Sequence, residues 1–393
     1  MHPTPELPAE GLNLPADGLT RRQFHKAALT GVLAATVLPV TGGTALAASR
    51  RPGAATATTL TPQQLAGQRV IYSYPGLTPP QSLFNDIQAG QAAGVIFFGE
   101  NISSTSQIAG VVSQLRQAQA QSPIPQPLLL MTDQEGGLVR RLPGAPTLSE
   151  KQVGSSADPV AAATNAGTGA GQNLASVGMN VNLAPVLDVY YKSGNFIDQY
   201  QRSYSNNAAT CASCGQAFIT AQQATGVAAT AKHFPGLGSA TKNQNTDTGP
   251  VTLTVTLSKL RSVDEVPYPS AVSAGVKLVM VSWATYPALD SSHPAGLSAT
   301  IVNNELRGRN AFTGVTITDA LEAGALSAFG TTGQRAVSAA AAGMDLILCS
   351  ARDTTQGEAA TTALATAYTN GQLDQTAFNT AVNRITALRA SLF

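Results

Sequence analysis

Several ionisable residues close short apolar runs, which is where a side chain leaves a buried strand and faces a cavity. Asp133-Gln134-Glu135 follows P-L-L-L-M-T, Lys232-His233 follows V-A-A-T-A, and Asp319 follows G-V-T-I-T. Asp188 stands just beyond M-N-V-N-L-A-P. An unpartnered charge at such a position costs several kcal/mol, so these groups need each other or a ligand. A structural ion-pair network satisfies that requirement. Binding chemistry satisfies it too, and the adjoining residues favour binding: Gly136-Gly137 and Pro235-Gly236-Leu237-Gly238 are loop formers that let backbone approach a bound molecule. Carboxylates can act as nucleophile or proton donor, and Lys with His can grip hydroxyl groups.

Eight β-rich apolar runs supply the positioning elements, at 69–74, 94–99, 127–133, 179–185, 227–233, 277–283, 314–319 and 344–350. Between them lie helix-length segments such as Ile108 to Ala120 and Pro159 to Val177, and Asp374 to Leu392 adds another. Such alternation gives an open doubly wound sheet or a closed barrel. A doubly wound nucleotide-binding sheet wants G-x-G-x-x-G after its first strand, and none follows Tyr74. Eight units with polar residues at the strand ends predict an α/β fold: a single (β/α)8 TIM-type barrel with its site at the C-terminal mouth. The 393 residues suffice for one such barrel with inserted loops.

Charged residues are only 11% of the chain and the formal net charge is +1, which argues against nucleic acid and favours a neutral ligand. Thr20-Arg21-Arg22-Gln23-Phe24-His25-Lys26 precedes an apolar stretch from Ala27 to Val40 and then Ala45-Leu46-Ala47. That order reads as a twin-arginine export signal over 1–47, too short to span a bilayer and cleaved near Ala47, with 48–59 as a linker before the barrel at 60–393. The expected location is therefore secreted or extracytoplasmic, without stable membrane insertion after cleavage. Cys211 and Cys214 form C-A-S-C without the second ligand pair a zinc site needs. A local disulfide and two free thiols both remain open. No cofactor or metal is expected, and the chain is expected to act as a monomer.

The runs M-T-D-Q-E-G-G-L-V-R-R-L at 131–142, N-V-N-L-A-P-V-L-D-V at 180–189, R-S-Y-S at 202–205, K-H-F-P-G at 232–236, I-T-D at 317–319 and A-G-M-D at 342–345 resemble glycoside hydrolase family 3. The branch they look most like is the single-domain β-N-acetylhexosaminidases. The resemblance implies that Asp133 binds sugar hydroxyls, that Arg141 and Arg202 line the same subsite, and that Lys232 and His233 grip the ring. It places Asp319 as nucleophile of a retaining mechanism, in which a carboxylate forms a covalent glycosyl-enzyme. Asp188 is expected to support the barrel mouth.

One segment departs from that branch, in which the loop after K-H-F-P-G ends in Asp-x-His and its imidazole is the acid/base. Here the loop reads L-G-S-A-T-K-N-Q-N-T-D-T-G-P, with Asn243 or Asn245 aligned without a gap and Gly249 where Asp247-Thr248 would lead to the His. Amides and glycine do not donate a proton usefully at neutral pH, so Asp247 is the expected substitute. The expected function is an exo-acting β-glycosidase for terminal β-N-acetylglucosamine or a related β-sugar, on a glycan or small glycoside. The alternative is a carbohydrate-binding pseudoenzyme without proton transfer. Trp283, the sole tryptophan, ends the sixth run and is read as one wall of the sugar pocket, with burial in the core as its alternative.

Replacing both Arg21 and Arg22 with Lys should retain the precursor inside the cell. Mass spectrometry of the exported form should find an N-terminus near Ala48, and unaltered export of the variant would count against a twin-arginine signal.

Overall fold

Every one of the eight apolar runs contributes a strand to one parallel sheet: β1 (Val70–Tyr72), β2 (Gly94–Ile96), β3 (Leu129–Thr132), β4 (Val181–Asn182), β5 (Ala228–Phe234), β6 (Leu278–Val281), β7 (Val315–Thr318) and β8 (Ile347–Leu348). The computed structural model describes residues 60–393, so the export signal and linker lie outside the described residues. Neighbours in sequence are neighbours in the sheet, and β1 also pairs with β8 in the register Val70↔Ile347 and Ile71↔Leu348. Between β7 and β8 the ring closes through an Ile317↔Leu346 bridge, with Leu346 N donating to Thr316 O at 2.8 Å and Thr318 N to Leu346 O at 3.0 Å. The sheet is the expected (β/α)8 barrel.

Most of the strands are shorter than the apolar runs that announce them. Pairing in a tilted, staggered barrel covers only the middle of each run, and the polar residues that follow leave the ladder to face the mouth. Alternation along the strands divides the core in two. Ile71, Ile96, Met131, Met280 and Ile317 belong to a cluster inside the barrel, whereas Val70, Tyr72, Leu130 and Val279 pack outward against the helices.

The helices start where capping side chains satisfy free N–H groups. Ser104 caps Thr105–Gln119, Asp158 caps Pro159–Ser176 and Asp374 caps Gln375–Ala390, each such cap contributing about 1 kcal/mol. The last of these helices crosses the N-terminal end of the barrel, where Ile385 and Leu388 join the interior cluster. Arg389 fastens it by donating to the carbonyl oxygens of Pro127 and Gln126 at 2.8 and 2.9 Å, just before β3. With that end plugged, ligand access is from the opposite mouth. No helix among the described residues is long and apolar enough to cross a membrane.

Cys211 and Cys214 are free, buried thiols on the helix Ala208–Gln223. Burial pushes them up to about 12 and about 11, which leaves them as unreactive packing groups.

A buried carboxyl braces the loop after β5. Gly236 has φ +145°, and a Cβ there would lie 2.7 Å from the Cβ of Asp264. Tyr191 donates its hydroxyl to Asp264 Oδ2 at 2.5 Å, and Tyr286 donates to Gly236 O at 2.8 Å. Burial, reinforced by the charge of Asp188, pushes the Asp264 carboxyl up to about 8, so it is neutral at pH 7. The folded state therefore holds a proton that the unfolded chain releases near 3.8, and stability falls as pH rises from there through about 8. Asp264→Asn should flatten the loss of unfolding free energy between pH 5 and 9 in urea titrations; an unchanged slope would assign that loss to another group.

Candidate active site

The C-terminal ends of the strands open into a cavity of about 430 Å³. Asp133, Arg141, Arg202, Lys232, His233, Asp247 and Asp319 all line it. The strand ends thus bring together residues from distant parts of the chain, as a barrel mouth requires.

Glu135 organises one arc of this mouth. Gln134–Gly136 and Val139–Arg140 form a short hairpin just past β3. Residues two apart share a side of it, so Asp133 and Glu135 reach toward Lys232 while Gln134 turns away to the backbone of Leu142 and Ala145. Lys232 Nζ lies 2.7 Å from Asp133 Oδ1 and 2.8 Å from Glu135 Oε1. Arg202 grips Glu135 with two bonds, Nε to Oε2 at 2.9 Å and Nη2 to Oε1 at 2.8 Å. Burial of Glu135 opposes its charge, but Arg202 and Lys232 outweigh burial and hold the carboxyl down to about 2. Burial likewise opposes the Lys232 ammonium, and Asp133 with Glu135 raises it above the ordinary value.

His233 is fixed from behind by Asp188. His233 Nδ1 stands 2.7 Å from Asp188 Oδ2, and the other carboxylate oxygen accepts the Leu237 N–H at 2.7 Å. Arg202 Nη2, which can only donate, lies 3.4 Å from His233 Nε2. Nδ1 therefore carries the proton and Nε2 faces the arginine. The fully buried Asp188 is a support, as expected. Leu237 forms part of the cavity wall. The loop passes so close to the preceding one that a Cβ on Gly238 would lie 1.8 Å from Val189 O. Arg141 differs from the other cations: its buried Nε has no hydrogen-bond partner, and no carboxylate pairs with its guanidinium among the described residues.

Asp319 stands on the arc across from this cluster. Its Oδ1 accepts the Ala320 N–H at 2.8 Å. Trp283 lies behind it, correcting the expected pocket wall. Only 1% of Trp283 is exposed, its indole N–H donates to Ala320 O at 2.8 Å, and its ring lies where a Cβ on Gly296 would come within 2.5 Å. The indole thus positions the residue after Asp319 and does not line the cavity.

The loop carrying Asp247 is pinned to the segment that follows Asp319. Gly324 N donates to Asp247 O and Ala325 N to Thr246 O, both at 2.9 Å. A Cβ on Gly324 would lie 2.5 Å from the Thr248 carbonyl carbon, so only glycine permits this approach. Asn245 caps the turn by accepting the Asp247 N–H at 2.9 Å, and neither it nor Asn243 lines the cavity. Asp247 stands at the open mouth and is exposed to solvent, yet enough protein surrounds its carboxyl to raise its pKa. Burial is the largest cause and the charge of Asp319 the next.

Among the cavity residues that the sequence did not single out are Phe98, Glu322 and Arg352. The only cue for Glu322 is its place three residues after Asp319. Phe98 sits within the second apolar run, and Arg352 belongs to no motif.

A barrel whose mouth combines several carboxylates with Arg and Lys side chains around one cavity has the makings of a carbohydrate-cleaving enzyme. Residues 63–388 match the family model described as the glycosyl hydrolase family 3 N terminal domain, so the chain belongs to glycoside hydrolase family 3. A protein of Arthroderma benhamiae described as an uncharacterized secreted glycosyl hydrolase is 47% identical over 83% of this chain and 93% of its own length. The beta-hexosaminidase A of Pseudoalteromonas piscicida is 30% identical over 80% of this chain, which spans only 56% of that relative. Among solved structures, a family 3 β-N-acetylglucosaminidase from a Paenibacillus species superposes with a TM-score of 0.80 at 34% identity, over 85% of this chain and 63% of that one. The β-N-acetylhexosaminidase of Beutenbergia cavernae gives 0.75 at 32% identity, over 84% and 99%.

Lys232→Met should strand the Asp133 and Glu135 charges and lower the unfolding free energy by about 3–5 kcal/mol, the usual cost of removing one partner of a buried pair. Urea denaturation at pH 7 measures this, and a loss below about 1 kcal/mol, the range of exposed ion pairs, would show that Arg202 alone satisfies Glu135.

Proposed function

We propose that this protein is an exported, retaining exo-β-glycosidase that removes terminal β-N-acetylglucosamine or a closely related β-sugar. The observation that carries the mechanism is the pairing of Asp319 and Asp247 across one cavity, with the Asp247 pKa raised by burial and by Asp319 itself. Asp319 attacks the anomeric carbon while Asp247 gives its proton to the leaving oxygen; Asp247 then takes a proton from the water that releases the sugar. Asp133, Arg141, Lys232 and His233 hold the ring, and Arg202 acts chiefly by fixing Glu135. The named activities of the Pseudoalteromonas, Paenibacillus and Beutenbergia relatives favour an N-acetylhexosamine in that position. Export follows from the Arg21-Arg22 segment, in keeping with the secreted description of the Arthroderma relative. A pseudoenzyme that binds sugar without cleaving it is favoured by the reading of Asp247-Thr248-Gly249 as the place of the Asp-x-His motif, with glycine where the resemblance implies histidine.

Asp319→Asn should abolish turnover of aryl β-glycosides without unfolding the chain, and a fluorinated glycosyl donor should label Asp319 in the wild type. Asp247→Ala should slow substrates with poor leaving groups by about 10²–10⁴, the usual value of general acid catalysis, while largely sparing glycosylation by activated aryl substrates and regaining rate with azide. The alkaline limb of wild-type kcat/KM should follow deprotonation of Asp247. Equal slowing on both substrate types would remove Asp247 from the mechanism, and a wild type inert toward activated aryl glycosides would establish the pseudoenzyme.

A further inference from the structure

The Glu135 cluster occupies the arc of the mouth above β3 to β5. The remaining arc, above β7, β8 and β2, carries beside Asp319 several groups that the proposed chemistry does not use. Glu322 is held by three neutral donors: Ser350 Oγ at 2.8 Å, Ser350 N at 3.3 Å and Gln356 Nε2 at 3.1 Å. No Lys or Arg pairs with it among the described residues. It is a fixed acceptor on the cavity wall.

Arg352, on the same arc, has a left-handed backbone, φ +58°, which is costly for any residue with a Cβ. Its N–H donates to Ser73 Oγ at 2.8 Å, and its guanidinium carbon lies 4.4 Å above the centre of the Phe98 ring. Nε stands 3.1 Å from Glu100 Oε1, with the two side chains 49% and 45% exposed. A pair so open to water adds little to folding. Its terminal nitrogens donate to no protein acceptor among the described residues.

We propose that Glu322 and Arg352, the latter aligned by Phe98, form a second sugar-binding site that holds the ring carrying the leaving oxygen. A fixed acceptor beside a donor fork suits a ligand with hydroxyl groups of both roles. The charges at this mouth select against the alternatives: Glu322 and Asp319 repel an anion, and Arg352 repels an ammonium group. A purely apolar leaving group would desolvate both Glu322 and Arg352 without a partner for either. The ligand is thus a neutral, hydroxylated sugar, and the preferred substrate is a glycan of at least two rings. This inference rests on Asp319 as the reacting carboxylate, with the released ring in the Glu135 arc.

Two variants separate this site from the chemistry. Glu322→Gln keeps the side-chain shape, and Arg352→Gly removes the guanidinium at a position where glycine adopts the backbone freely. For each, kcat/KM is measured with a β-linked disaccharide of N-acetylglucosamine and with the matching nitrophenyl glycoside, alongside a thermal melt. The disaccharide-to-aryl ratio should fall at least tenfold in both variants, chiefly through KM of the disaccharide. A ratio within twofold of wild type in both variants, including equal loss on both substrates, overturns the site while leaving the hydrolase reading intact. A wild type inert on both substrates overturns the hydrolase reading and this site with it.

Discussion

The Glu135 carboxylate is buried and charged, and it stays so only while Arg202 and Lys232 hold it. That single constraint ties the hairpin after β3 to the end of β5 and to the segment around Arg202, three pieces far apart in the chain. Lys232 is shared with Asp133, so satisfying Glu135 also sets the position of a second carboxylate at the mouth. Arg202 in turn approaches His233 from one side while Asp188 holds it from the other. This arc is one connected network, in which Asp133, Lys232 and His233 are each held by a neighbouring charged group.

The two carboxyls proposed to react, Asp319 and Asp247, stand outside that network. Asp319 is set by the end of β7 and by its contact with the Ala320 N–H, whose residue Trp283 steadies from behind. Asp247 reaches the same cavity on a different loop, pinned through backbone bonds to Gly324 and Ala325. Their separation from the cations matters electrostatically. The Asp247 carboxyl is shifted upward chiefly by the protein around it and next by the charge of Asp319, while Arg202 and His233 pull it down.

The barrel was legible in the sequence because its signals are local: apolar β-rich runs, helix caps, and loop formers between them. The polar strand ends were legible for the same reason, since Asp133, Lys232, His233 and Asp319 interrupt runs that are otherwise apolar. Trp283 was not, because it lies two residues past the last paired residue of β6, where strand alternation no longer fixes direction. Glu322 and Arg352 sit in turns, whose geometry depends on Ser350 and Ser73 from other elements. Asp264 was missed because the burial that holds its proton comes from tertiary packing beneath the loop at Gly236, which no periodicity encodes. Asp247 falls between: the sequence singled it out by elimination, and only the docking of its loop on Gly324 explains how it faces Asp319.

The pairing of β1 with β8 has a consequence for how the molecule comes alive. Val70 meets Ile347 across almost the whole described chain, so this contact forms only after the intervening staves are in order. The site borrows residues from β3 through β8, and none of its halves is complete on an open sheet. An unclosed barrel is therefore catalytically silent however much of its core it has buried. The first turnover after refolding dates the moment at which the ring shuts, and the reaction serves as a clock for the least local step in making the protein.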